Sequence, residues 1–185
     1  MLTVKKPSAW SFVTSSSGGI GVEFVAAEGG KIFFKDPGGN DISFAYGAAG
    51  AGLYAGLKLP KIGKLQVNVL GKGVMGAIAP ASFPNAGRLY VLDTFAGNEL
   101  GRTDINGVCL FVEIAGGLIA GVSATAMIVG MDPRWLAGLM APVAPVLAYI
   151  DYRMLQSATG LLVMGGINAG LQGGAGIGAF LGGLW

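Results

Sequence analysis

Ten carboxylates, twelve Lys or Arg side chains, one cysteine and no histidine are what this chain of 185 residues offers to chemistry. The lack of histidine removes the commonest general base and the commonest metal ligand together. Glu23, Glu28, Asp36, Asp41, Asp93, Glu99, Asp104 and Glu113 include enough carboxylates for an acid–base pair, but no spacing selects two of them. Most fall at turns or strand ends, where a solvated surface is the plain reading. The triple serine Ser15-Ser16-Ser17 has no histidine to activate it, and no motif supports a Ser–Lys catalyst. Cys109 lies in an apolar strand pattern and reads as core; a single cysteine excludes an internal disulfide and a Cys-rich metal site. Gly71-Lys72-Gly73-Val74-Met75-Gly76 matches the phosphate-cradling G-x-G-x-x-G pattern, but Pro80 follows in place of the helix that would complete it. With 34 glycines, chance matches are expected. The residues therefore predict no enzyme, no cofactor and no metal, and a net charge of +2 is too small for a nucleic-acid partner.

A different constellation stands out. Gly166, Gly170, Gly174, Gly178 and Gly182 are four apart, inside a run from Met154 to Trp185 that holds no charged residue. Residues four apart share a face of a helix, and such a strip of bare backbone is a packing surface for a second helix in a membrane. In water it would be costly, at about 1 kcal/mol per mid-helix glycine. Asn168 and Gln172, also four apart, would put amides on the opposite face and are candidates to line a wet path. A buried glycine-rich helix in a soluble protein is the competing reading of the same spacing.

These residues depend on the elements around them. Charges are crowded into the front of the chain: beyond Glu113 only Asp132, Arg134, Asp151 and Arg153 remain. We place the one boundary there, with a β-rich soluble domain over residues 1–113 and a hydrophobic helical membrane-insertion region over 114–185. In the front, strand patterns run over 20–25, 31–35, 42–46, 65–70, 88–95 and 108–114, with a strong turn signal at Asp36-Pro37-Gly38-Gly39-Asn40-Asp41. Residues 47–57 are glycine-rich and lean to strand. Six or seven strands suggest a sandwich or small barrel. In the back, 114–131, 135–150 and 154–185 are uncharged, divided by two small charged turns, and the last is ample for a bilayer span. The expected fold class is α+β: an N-terminal antiparallel β sandwich or small barrel followed by Gly-rich hydrophobic helices. Glu113 and Asp132, the acidic groups nearest the apolar segments, would favour cations at a pore mouth.

A small histidine-free chain with a β-rich front, the Gly166–Gly182 strip and apolar segments from Ile114 onward resembles the small pore-forming effectors of bacterial type VI secretion. Its first residues, with Lys5, Lys6 and Pro7 and no apolar core, do not read as a signal peptide. The resemblance implies a protein made in the cytoplasm and loaded into the Hcp secretion tube as carrier. It implies delivery to a competitor's periplasm, an ion-conducting homo-oligomer in that cell's inner membrane, loss of membrane potential, and a cognate immunity protein in the producer. It implies no catalytic residues. The competing class is a soluble β-barrel that holds a lipid, with the tail as lid or anchor.

Overall fold

The computed structural model describes residues 2–22, 25–56, 64–69, 72–78, 81–117, 120–134, 152–169 and 174–185. It is built from β1 (Val4–Pro7), β2 (Ser11–Val22), β3 (Val25–Lys35), β4 (Asp41–Gly56), β5 (Lys64–Val69), β6 (Lys72–Ile78), β7 (Ala81–Leu92), β8 (Gly107–Gly117), β9 (Ala120–Met131), β10 (Gly160–Ala169) and β11 (Gly174–Leu184). Two short helices, α1 (Arg102–Ile105) and α2 (Tyr152–Gln156), are the helices among the described residues.

All strands pair antiparallel in one sheet, in the order β1-β7-β10-β9-β8-β11-β4-β3-β2-β6-β5. The sheet curls until β2 meets β7 at Ser17↔Ser82, which joins β2, β3, β4, β11, β8, β9, β10 and β7 into a ring. Local sequence explains the strands well. Lys31-Ile32-Phe33-Phe34-Lys35 alternates exposed and buried, as does Val122 to Met127. The turn after β3 is closed by the Asp36 carboxylate, which accepts the Asn40 backbone N–H at 2.8 Å, with Gly39 at φ +85° where other residues are strained.

The pairing register separates the ring into two ends. The turns carrying Asp36 and Asp41, Asp93 to Asp104, and Asp132 to Arg134 all lie at the end where the chain enters. This end, the base, is filled by aromatic side chains. Phe111 stacks on Phe180 with centroids 4.8 Å apart, and Phe34 meets Phe44 and Trp10 edge-on at 5.9 and 6.0 Å. The Trp10 indole N–H donates to the Leu100 carbonyl at 2.7 Å.

The expected helices after Glu113 do not form, and the α+β class is overturned. Residues 114–117 complete β8, and β9, β10 and β11 occupy the apolar stretches placed in helices. The N-terminal sandwich gives way to the single curled sheet, in which β11 lies between β4 and β8. No helix among the described residues is long and apolar enough to cross a membrane. The segment 135–150 lies outside the described residues. The physical reason is the spacing itself: residues four apart share a face of a helix, and of a strand as well, because four is a multiple of two. A glycine every second or fourth position costs more in a helix than in a strand whose neighbour approaches closely. That approach is present. A Cβ built on Gly182 would lie 2.1 Å from the Gly47 carbonyl oxygen, and one on Gly50 2.0 Å from the Ala179 oxygen. Glycine at these places lets β4 and β11 pack together.

Candidate functional site: a sheet of inverted polarity

Above the aromatic base the sheet reverses the usual arrangement. On β9, Val122 is 71% exposed while Ser123 and Thr125 beside it are 6% and 8% exposed. On β8, Val112 and Ile114 face outward and exposed, and Glu113 between them is half-buried on the face shared with Cys109 and Phe111. On β10 Val163 is outward, and on β11 Ile177. On β2 Ser15 is buried at 3% exposure. The register makes the outward set contiguous. Ile114 pairs with Ile177 on one side and Ala124 on the other, and Val112 pairs with Ala126 and Ala179. The inward set is equally joined, with Glu113 opposite Thr125 and Gly178, and Ser123 opposite Gly166. A sheet in water buries its apolar face and solvates its polar one. Here hydroxyls, glycines and a carboxylate turn in, and branched aliphatic side chains turn out.

The residues singled out by the sequence fall as follows. Gly166 is in β10, and Gly174, Gly178 and Gly182 share one face of β11; they form a strand face and not a helical zipper. Gly170 and Gln172 lie outside the described residues. Asn168 is in β10, paired with Gly121 and Ser82. Glu113 sits within the inward set. Asp132 does not join it: it lies past the end of β9, at the base. There its carboxylate accepts the Arg134 backbone N–H at 3.0 Å and the Arg134 Nε–H at 2.8 Å. The Arg134 guanidinium hydrogen bond is the main cause that holds the Asp132 carboxyl below its ordinary value, so its charge is already matched. No group of three or more metal-ligating side chains is found among the described residues.

The base is tied by another carboxylate. Glu99 accepts from the Ser8 hydroxyl, the Ala9 and Leu100 backbone N–H groups at 3.1 Å each, and Lys6 Nζ at 3.3 Å. Burial raises its pKa, and those donors together outweigh the burial and hold it below the ordinary value. The inward hydroxyls and the outward aliphatics were missed because residues 120–131 were read as a helix. The alternation Val122-Ser123-Ala124-Thr125-Ala126 is the signal that finds them.

The chain is 43% identical over 183 residues to the toxin protein Tse4 of Pseudomonas aeruginosa, covering 96% of this chain and 94% of that protein. It belongs to the Tse4 toxin family. The match spans nearly the whole chain, so the curled sheet and its inverted polarity lie within the part shared with Tse4. No protein-family model matches the chain, and no solved structure matches it.

Proposed function

We propose that this member of the Tse4 family is an antibacterial toxin, secreted by the type VI route, that enters the target cell's inner membrane with its strands and conducts ions. The observation that carries the proposal is the inverted polarity of β8 and β9, with Val163 of β10 and Ile177 of β11 turned outward beside them. Apolar-out, polar-in alternation is the pattern of a membrane-spanning barrel, where every backbone group must pair within the sheet. An eight-stranded ring is just wide enough to be filled by its own side chains. Among the described residues Trp10, Phe34, Phe44, Phe111 and Phe180 fill the base, Met164 lies inward opposite Thr125, and Ser123, Thr125 and Gly178 make the wall around it small or polar. Oligomerisation in the membrane would widen the path further. Glu113 is an acidic group of that wall and favours cations there. The toxin needs no catalytic residue, and its producer needs a carrier for export and an immunity protein for protection.

The test is liposomes carrying an imposed potassium diffusion potential. The protein collapses the potential while the lipid stays chemically intact, and Glu113→Gln shifts the reversal potential in a salt gradient toward zero. Hydrolysed lipid would make the toxin an enzyme. A stable one-to-one complex with extracted lipid, with the potential held, would favour the soluble lipid-binding reading.

A further inference from the structure

The exposed aliphatic belt continues beneath a cover. Along β8 the outward positions are Val108, Leu110, Val112 and Ile114; the last two are exposed, while the first two are buried. Part of what buries them is the segment around α2, with Leu2 also packed against the same cluster. Met154 and Ala158 pack with Val108, Leu110 and the outward Leu181 of β11 in one apolar cluster on the outside of the sheet. The surface chemistry is the same above and below; only the occupant changes.

We propose that residues 152–159 form a strap over the lower half of a single lipid-facing surface, and that on a membrane the strap leaves and acyl chains take its place. This rests on the membrane reading above. Height supports it. The part of β8 from Val112, its first exposed outward residue, to its end at Gly117 rises about 16 Å along a ring whose strands tilt by roughly 40° at about 3.4 Å per residue. That is half of a hydrocarbon core of about 30 Å. The whole strand has 11 residues, and with Val108 and Leu110 uncovered it rises about 28 Å, which matches the core. The strap is also built to let go. A helix of five residues has no stability of its own and keeps its shape only through packing. Its outer side chains, Tyr152 and Arg153, are exposed. Beyond packing, its hold is a set of hydrogen bonds gathered at its carboxy-terminal end: Thr159 N–H to the Val129 carbonyl at 3.1 Å, Leu92 N–H to the Thr159 carbonyl at 3.0 Å, the Thr159 hydroxyl to the Asp104 and Val129 carbonyls, the Thr94 hydroxyl to the Ala158 carbonyl, and Asp132 N–H to the Ser157 hydroxyl at 3.1 Å.

The experiment uses the unmodified chain. Amide hydrogen exchange is followed with and without vesicles of phosphatidylethanolamine and phosphatidylglycerol, with membrane potential read by dye in the same samples. In water the Ser157, Ala158 and Thr159 amides are protected by bonds to the Met154, Leu155 and Val129 carbonyls. On vesicles they exchange about tenfold faster or more, while β8 and β9 stay protected. Collapse of the potential with those three amides still protected overturns the strap and leaves the pore. Opening of the three amides on vesicles that keep their potential supports the strap and overturns the pore. Unchanged exchange and an intact potential overturn both.

Discussion

The base of the ring and the wall above it are made by the same strands yet obey opposite rules. At the base, β8 turns Phe111 inward against Phe180 and buries Leu110 outward under Met154, so both faces are dry. A few residues along the same strand, Glu113 turns inward and Ile114 is 57% exposed. Hydrophobic burial holds the base together. The wall gains little from it in water; on the proposed reading its aliphatic side chains face lipid, so that one region serves stability and the other transfer.

Substitutions sharpen that contrast, beginning with the largest effect. Phe111→Ala removes a fully buried ring from the base and is expected to cost about 3–5 kcal/mol, read as a fall in the denaturation midpoint. Gly182→Ala places a methyl where the Gly47 oxygen stands, and the two backbones must part. A cost of about 1–3 kcal/mol follows, from overpacking. Gly165→Ala is the control. Its Cβ meets only the Ser123 carbonyl oxygen, at 3.6 Å, which is ordinary contact, so the midpoint moves by less than about 0.5 kcal/mol. A result in which Gly165→Ala is as damaging as Gly182→Ala would remove close approach as the reason for glycine in β11.

Acid acts on the base. The Glu99 carboxyl is held below its ordinary value of 4.5 in the folded chain. Its contribution is therefore present above that value and lost as pH falls through the lower, folded one. Thermal stability is expected to drop as pH goes from about 5 to about 3, and Glu99→Gln flattens the drop. The same acid step with no difference between the two proteins would place the sensitivity elsewhere.

Much of this was legible in the sequence, and one ambiguity hid the rest. Alternation over 42–46, short apolar content between turn residues over 31–35, and β-branched and aromatic residues over 108–114 identify strands, and the Asp36–Asn40 turn announces itself by its residues. The charge-free stretches after Glu113 are equally plain. What they become is not, because Gly174, Gly178 and Gly182 satisfy a helical period and a strand period alike. Long apolar runs then tip the reading towards helices, although glycine alternating with Ala and Ile in 174–179 suits a strand whose neighbour lies close. The site suffered the same loss. Glu113 was visible as the last charge before the apolar stretch, whereas Ser123 and Thr125 acquire meaning only once β9 is a strand. Asp132 looked equivalent to Glu113 by its position in the chain, but it lies past the end of β9, at the base, whereas Glu113 stands within β8 on its inward face.

Against the membrane the contrast reverses, and an outward charge becomes the sensitive change. Ile114→Arg leaves the soluble fold nearly untouched, since the side chain is exposed, but burying the charge in lipid costs about 2–4 kcal/mol near the midplane. Vesicle binding is expected to weaken while the denaturation midpoint holds. Equal binding by both proteins would take Ile114 out of the lipid-facing surface.

The most direct measurement follows β9 through the bilayer. Single cysteines are placed in turn at Val122, Ser123, Ala124, Thr125 and Ala126, in a chain whose buried Cys109 is replaced by alanine. Each protein is reconstituted in a planar bilayer and treated with a water-soluble, charged thiol reagent. The account predicts a period of two: block of conductance at 123 and 125, none at 122, 124 and 126, where lipid-borne quenchers reach an attached fluorophore instead. A helical period of reactivity, or block at the even positions, would contradict it.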